Sequence, residues 1–181
     1  MEFYTLHREI IPFRIMYWFA AFLGLIAAVF LGLVIYNFGV APIDNEPAVG
    51  WVFLGEFLLM GSLAILLLQF RTYELILTPE GIIIKFGKIK RFIRWMEIDS
   101  YSLITNGTVL SSGGWKINLG PRGWYSQYTV FGKPRITVQL NTGKIKEVVF
   151  STANPEEAAR VIKKQTGKSA NPSAGGDSSW M

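Results

Sequence analysis

Two apolar runs of about twenty residues each constrain this chain more than any other feature of its sequence. Residues 16–36 contain no charged side chain, and residues 51–70 contain one, Glu56. At a helical rise of about 1.5 Å per residue, about twenty apolar residues cross the roughly 30 Å hydrocarbon core of a bilayer. The sequence therefore predicts two transmembrane helices, joined into a hairpin by the connecting segment 37–50.

The first apolar run has a second interpretation, because a cleaved signal peptide also begins a chain with apolar residues. Its length exceeds the ~7–15 apolar residues typical of such peptides, and no small-residue cleavage site follows it. We therefore expect the run to be retained as a membrane span.

The basic residues near the hairpin predict its orientation. Arg8 and Arg14 precede the first run, Arg71 follows the second, and the connecting segment contains no Lys or Arg. Because positive charge is retained on the cytoplasmic side, both termini should be cytoplasmic. The chain is thus predicted to be a multi-pass protein of the cell membrane.

Small residues recur at every fourth position of the first run, at Ala20, Gly24, Ala28 and Gly32. Such a stripe allows another helix to approach closely, so we expect it to pack against the second helix, with an intermolecular contact as the alternative. Glu56 is costly in hydrocarbon and can mark a pathway or a partner, but it lies near the loop-side interface, where snorkelling or simple protonation explains it without a function.

The part of the chain after the hairpin is strongly basic. Residues 71–168 contain sixteen Lys and Arg against seven Asp and Glu, a net charge of +9, which favours anionic partners. The chain has no cysteine and a single histidine, His7, so thiolate ligands and a multi-histidine metal site are excluded within one chain. We predict no catalytic residues, no metal, no cofactor and no enzymatic activity.

Short β-rich runs separated by turn residues follow Arg71, a pattern typical of an antiparallel sheet or small barrel. The predicted strands span residues 72–78, 82–86, 89–95, 98–104, 115–119, 124–130, 135–140 and 144–150. A helix over residues 154–165 is indicated by Asn154 as its N-cap, by the following Pro155 and by Gly167 beyond its end.

Four regions result from these patterns. Residues 1–15 are predicted to form a cytoplasmic N-terminal arm, residues 16–70 the transmembrane hairpin and residues 71–167 the β-rich domain. Residues 168–181, rich in Ser, Gly, Ala and Asn, are predicted to be a disordered tail.

The β-rich region resembles bacterial pleckstrin-homology-like (PH-like) domains over about residues 72–165. Gly81-Ile82 and the segment 93–101, IRWMEIDSY, are similar to a G-I…I-x-W-x-x-I pattern of membrane-anchored members of that family. The segments 114–117, 135–143 and 150–157 look like its closing hairpin and capped helix. The resemblance implies an α+β membrane protein, with a two-helix hairpin followed by an antiparallel β PH-like domain and one C-terminal capping helix. It implies no catalytic residues.

The densest basic cluster alternates with apolar residues between positions 85 and 95. Its members are Lys85, Lys88, Lys90, Arg91 and Arg94. We predict that they bind an anionic surface, and in a hairpin Lys88, Lys90 and Arg94 share one face. A solvated strand face is the alternative. Nucleic-acid binding is disfavoured because no nucleic-acid motif accompanies the charge.

Aromatic residues and a glycine-rich stretch complete the candidates. The rings of Trp115, Trp124, Tyr125, Tyr128 and Phe131 can line a pocket or enter a membrane interface, but core packing is the default in so small a domain. Residues 111–114 lack phosphate-loop spacing and are interpreted as a turn.

The function predicted from these features is binding. We expect a membrane-tethered PH-like module or scaffold that holds a protein partner, or an assembling complex, at the cytoplasmic leaflet. The alternatives are a sensor of anionic lipid and an accessory subunit of a transporter or channel. Membrane lipids and a protein are the predicted partners, and the sequence predicts no oligomeric state.

Overall fold

The computed structural model of the chain describes residues 4–40, 43, 46, 48–104, 113–120 and 123–171. The chain forms two compact units. One contains Pro12–Thr72, and the other combines Met1–Ile11 with Tyr73–Met181. The protein is α+β, with two apolar helices near the N-terminus, antiparallel and mixed β-sheets, and a C-terminal helix.

The first unit is a helical hairpin of α1 (Arg14–Gly39) and α2 (Ala48–Leu68). Both helices are long and apolar enough to cross a membrane, with mean hydropathies of 2.6 and 2.1 in their most apolar windows. Only 11% and 6% of those windows are buried, so the apolar side chains point mainly outward. Within the connecting segment 37–50, residues 41, 42, 44, 45 and 47 lie outside the described residues.

The helices pack through a different stripe of α1 from the one that the sequence predicts. Ala20 and Ala27 are buried, and the Phe30 ring lies 6.2 Å from that of Phe53 on α2. Gly24 and Gly32 are exposed, and a Cβ built on either meets no atom within 4 Å.

The helical repeat explains this correction. A spacing of four residues advances about 40° past a full turn at each step, whereas a spacing of seven returns to within about 20°. The predicted contact of Gly24, Ala28 and Gly32 with α2 is therefore wrong, and only Ala20 of that stripe is buried. Glu56 is half-buried on α2.

The described residues of the second unit form nine strands in two sheets. The first, sheet A, has the order β1-β2-β3-β4. Its strands are β1 (His7–Pro12), β2 (Thr72–Leu77), β3 (Gly81–Phe86) and β4 (Ile89–Arg94). A short 3₁₀ turn, Trp95–Glu97, leads to the second sheet.

The sequence did not predict strand β1. Part of the predicted N-terminal arm over residues 1–15 forms this strand at the edge of sheet A. The backbone N–H of Leu6 donates to the carbonyl of Leu77 at 2.8 Å beside this strand. Along the chain, the helical hairpin thus lies between β1 and β2, which are neighbouring strands of sheet A. One residue separates β1 from α1, and three separate α2 from β2.

Sheet B has the order β5-β8-β9-β7-β6. Its strands are β5 (Ile98–Ile104), β6 (Gly114–Gly120), β7 (Gly123–Thr129), β8 (Arg135–Leu140) and β9 (Ile145–Ser151). The β7–β9 pair is parallel, so the sheet is mixed and differs from the predicted fully antiparallel arrangement. In the predicted turn over residues 111–114, residues 111 and 112 lie outside the described part.

The core of this unit is formed by both sheets and by the C-terminal helix α3 (Pro155–Thr166). Its fully buried side chains include Leu75, Ile84, Val148, Phe150 and Ile162. The Tyr73 hydroxyl on β2 donates to the Ser151 carbonyl on β9 at 2.7 Å, which ties one sheet to the other.

Helix α3 begins after Asn154 with Pro155 as its first residue and ends before Gly167, as predicted. Gly167 adopts φ 70° and its N–H donates to the Lys163 carbonyl, a left-handed C-terminal cap. The Asn154 side chain makes no capping hydrogen bond. Beyond the helix, Lys168 donates to the Ile98 carbonyl and Asn171 bridges to Ser102, while residues 172–181 of the predicted tail lie outside the described part.

Candidate functional site

The predicted basic cluster lies on the β3–β4 hairpin of sheet A. Gly87 adopts φ 59° in its turn, a conformation that glycine accepts without a steric penalty. Lys85 pairs with Lys90, and Gly81 pairs with Arg94. Since opposite residues of an antiparallel pair share a face, Lys85, Lys90 and Arg94 lie on the outer face of sheet A.

Arg91 is separated from these residues. It pairs with the fully buried Ile84 and therefore lies on the core side of the hairpin, where its Nε is buried and has no hydrogen-bond partner among the described residues. Lys88 is exposed at the turn. The structure thus brings four of the five predicted residues to one side or tip of the hairpin and places the fifth on the other side.

Lys85 is already occupied by an acidic neighbour. Its Nζ lies 2.8 Å from Oε2 of Glu74, whose other oxygen is 2.6 Å from Nη2 of Arg8 on β1. Burial acts to raise the pKa of Glu74, but the bonds to Lys85 and Arg8 outweigh it and hold that pKa below its usual value of 4.5. No ion pair among the described residues involves Lys88, Lys90 or Arg94. On the outer face and turn of the hairpin, these three side chains therefore carry the positive charge that can bind a partner.

A shallow groove lies beside the basic residues. Its volume is about 460 Å³, and we call it the Phe92 groove. It is lined by Glu80, Phe92, Arg94, Trp95 and Met96. Phe92 is 38% exposed and Met96 is 77% exposed, which places exposed apolar surface in the groove that Arg94 also lines.

The groove has a rigid wall. The Trp95 indole N–H donates to the Thr78 carbonyl at 3.0 Å, which fixes the ring. Gly81, which pairs with Arg94, is required at its position, because an added Cβ would collide with the backbone carbonyl of Ile93. Arg94 and Met96 therefore project from a framework that holds their backbone in place.

A buried carboxylate, Glu9 on β1, forms a polar cluster that the sequence did not reveal. It accepts hydrogen bonds from the Thr152 hydroxyl at 2.8 Å, the Ala153 N–H at 2.6 Å and the Asn154 N–H at 3.1 Å. His7 Nε2 lies 2.7 Å from the same carboxylate. Glu9 thus binds the backbone just before α3, whereas an N-cap side chain at Asn154 would accept from N–H groups inside the first turn of the helix.

The electrostatics of Glu9 follow from these contacts. Burial acts to raise the pKa of Glu9, but the hydrogen bonds from Ala153, His7, Thr152 and Asn154 outweigh it and the pKa lies below 4.5. Burial and the nearby Glu9 charge raise the pKa of Tyr73 well above 10.0. The alternation of His7, Glu9 and Ile11 was the only sequence signal for this strand, and it is too short to identify the partner strand.

The predicted aromatic group divides between core and surface. Tyr128 is buried at 4% exposure, as expected for a core residue, whereas Trp115, Trp124 and Phe131 are between 42% and 49% exposed. The Tyr125 hydroxyl accepts a hydrogen bond from the Asn118 side chain at 3.0 Å on the opposite face of the β6–β7 pair.

Among the described residues no group of three or more His, Asp or Glu side chains is arranged to hold a metal ion. The Thr152 hydroxyl donates to Glu9, and the Glu9 oxygens are filled by backbone and side-chain donors, so this cluster holds β1 in place.

In comparisons with protein-family models, with curated proteins and with solved structures, nothing matches this chain.

Proposed function

We propose that the protein is a membrane-anchored binding module with a PH-like β-domain. The helices α1 and α2 anchor it, both termini are cytoplasmic, and the β-domain holds a protein partner at the cytoplasmic leaflet. One residue joins β1 to α1 and three join α2 to β2, so the anchor and the β-domain are connected by short segments. Such a module acts by concentrating its partner at the membrane.

The observation that carries the proposal is the exposed apolar surface of Phe92 and Met96 beside the unpaired Arg94. An apolar anchor in a groove, with charges at its rim, is the usual energetic centre of a protein interface. Lys88 and Lys90 extend the positive charge along the hairpin, while Glu80 is the one acidic side chain that lines the groove. The partner is therefore a protein segment with an apolar side chain flanked by acidic residues.

Site-specific photocrosslinking in intact cells tests this function. A benzophenone amino acid at Met96 should crosslink one protein, identified by mass spectrometry from the purified adduct. Arg94→Glu should abolish most of the adduct, because the rim charge then repels an acidic partner. Lys163→Glu is the matched control, since it makes the same change of charge on the exposed end of α3.

Two results would refute the proposal. One is the absence of any protein adduct at Met96. The other is an adduct whose yield falls equally with Arg94→Glu and Lys163→Glu, which indicates attraction to net charge and not recognition by the groove.

Direct binding of anionic lipid is the second candidate, favoured by the three unpaired cations Lys88, Lys90 and Arg94. Each basic residue near an anionic surface contributes about 1 kcal/mol. In nanodiscs of graded anionic content, this candidate predicts lipid adducts at Met96 that increase with anionic lipid and decrease with salt, because salt shortens the screening length. Lipid adducts that ignore both variables exclude it.

A further inference from the structure

The face of sheet B that packs on the core is wider than the core, so part of this face is exposed. Val148 and Phe150 on β9 are fully buried, and Tyr128 on the neighbouring strand β7 is 4% exposed. On β6, at the edge of the sheet, the same face becomes exposed. The side chains concerned are Trp115, Ile117, Leu119 and, paired with Leu119 on β7, Trp124, with exposures of 42%, 43%, 69% and 49%.

We call these four residues the β6 overhang. Their common orientation follows from register, because Trp115 pairs with Tyr128, Ile117 with Ser126 and Leu119 with Trp124. The intervening residues Lys116 and Asn118 lie on the other face. A continuous apolar face on an edge strand exposes a protein to association unless something covers it.

We propose that the β6 overhang inserts into the interface of the anionic leaflet in which the chain is anchored, so that the β-domain makes its own membrane contact. This inference rests on the proposed membrane anchoring but not on the Phe92 groove. It adds a lipid-binding surface on sheet B, whereas the Phe92 groove lies beside sheet A.

The chemistry of the overhang fits a bilayer interface. Two of its four side chains are tryptophans, whose amphipathic rings are enriched where hydrocarbon meets headgroups. Leu119, the most exposed of the four, supplies the apolar tip. The polar groups along the β6 edge remain hydrated there, because apolar insertion of about 5–10 Å stays within the headgroup–acyl boundary.

Charge also favours an anionic leaflet. Lys144 and Lys146 are exposed where β9 runs beside Trp124, and the Lys146 side chain lies close to Gly123. The net charge of +9 over residues 71–168 attracts an anionic surface and repels a second copy of the chain. Pairing of two β6 edges would extend the sheet but leave the side chains on its face uncovered.

Depth measurement on the full chain tests the inference. The chain has no cysteine, so a single introduced cysteine carries the only nitroxide label. Leu119→Cys reports the overhang and Leu25→Cys, 66% exposed on α1, reports the bilayer. Met96→Cys, 77% exposed and also apolar, is the matched control on the β-domain. The protein is placed in nanodiscs of phosphatidylcholine and phosphatidylglycerol.

We expect the label at position 119 to be more accessible to oxygen than to a water-soluble nickel chelate, as at position 25, and the label at 96 to show the reverse. Trp115→Ser with Trp124→Ser should move label 119 into water. Ile10→Ser, a control at a residue 58% exposed on β1, should leave its depth unchanged.

Several outcomes overturn the inference. If label 119 is as accessible to water as label 96 while label 25 lies in the bilayer, the overhang contact is refuted and the membrane anchoring is not. If label 25 is itself in water, the anchoring fails and the inference fails with it. A short dipolar distance between labels 119 on two chains identifies a second copy as the occupant. If the variant with both Trp115→Ser and Trp124→Ser does not unfold cooperatively, the comparison of labels 119 and 96 in the chain that keeps both tryptophans tests the inference by itself.

Discussion

At the scale of single residues, Glu9 connects two parts of the β-domain that are far apart in sequence. It is 6% exposed and joins the first strand of the domain to the backbone that precedes its last helix. Replacing the carboxylate by an amide turns one of its two acceptor oxygens into a donor that faces the N–H of Ala153 or Asn154, and hydrogen bonds to a charged group contribute about 1.5–3 kcal/mol. The side chain therefore stabilises the fold although it lies far from either proposed binding surface in sequence.

We expect Glu9→Gln to lower the free energy of unfolding of the β-domain by about 2 kcal/mol. Thermal unfolding of the full chain in detergent, followed by the near-ultraviolet signal of its aromatic side chains, measures this. Glu74→Gln is the control, because its ion pairs are partly exposed and such pairs contribute about 0–1 kcal/mol. Equal losses for the two variants would show that Glu9 has no special role.

The depressed pKa of Glu9 also predicts how stability depends on pH. A carboxyl group whose folded pKa lies below its unfolded value contributes stability above the unfolded value, and this is lost as pH falls through the folded pKa. His7, Glu157 and Tyr73 face the same cluster, and Tyr73 stays neutral because its pKa is raised.

Acidification below about pH 4.5 should therefore destabilise the wild-type β-domain. Glu9→Gln should flatten this part of the pH profile, while Glu74→Gln should remove only the smaller contribution of Glu74, whose pKa is also lowered. The midpoint of urea unfolding at a series of pH values measures the effect. A profile that is unchanged by Glu9→Gln contradicts the assignment.

At the scale of elements, the sequence predicted those whose signals are local. The alternation in β8 and the turn at Gly87 are each contained in fewer than ten residues, and β5 and β8 begin and end where the sequence predicts. Strand β1 was missed because its partner lies beyond the whole hairpin, and the parallel β7–β9 pair because register between distant strands has no local signal.

The candidate sites follow the same division. The exposed charge of the β3–β4 hairpin could be read from composition and spacing. The inward position of Arg91 required the register, and the exposure of Trp115 and Trp124 required knowledge of where the core ends. The Glu9 cluster joins residues 143 or more positions apart, so no periodicity could identify it.

The packing of α1 on α2 provides a prediction at this scale. Ala20→Leu with Ala27→Leu should weaken the hairpin, because both small residues are buried and overpacking costs about 1–3 kcal/mol. Gly24→Leu with Gly32→Leu should not, because both positions open onto free space. Disulfide crosslinking between cysteines at Phe30 and Phe53 measures the contact. A greater loss with the glycine pair would restore the stripe that the sequence predicted.

At the scale of the whole molecule, the insertion of the hairpin within one sheet constrains how the chain can cross a membrane. β1 precedes α1, β2 follows α2, and the two strands are neighbours in sheet A. Both ends of the hairpin must therefore emerge on the same side, which requires an even number of crossings. The absence of Lys and Arg from residues 37–50, together with Arg14 and Arg71 at the outer ends, favours the cytoplasm as that side.

This orientation gives the last prediction. Because the chain has no cysteine, Glu46→Cys between the helices and Lys163→Cys on α3 can each be labelled singly. In intact cells a membrane-impermeant maleimide should modify position 46 at once, and position 163 only after the membrane is opened, because the proposed orientation places the β-domain in the cytoplasm. Labelling of position 163 before the membrane is opened would show that the orientation is the reverse of the proposed one. Labelling of both positions before opening, with the cells shown to be sealed, means that the hairpin does not cross the bilayer, and the anchoring on which both proposed binding surfaces depend would then be lost.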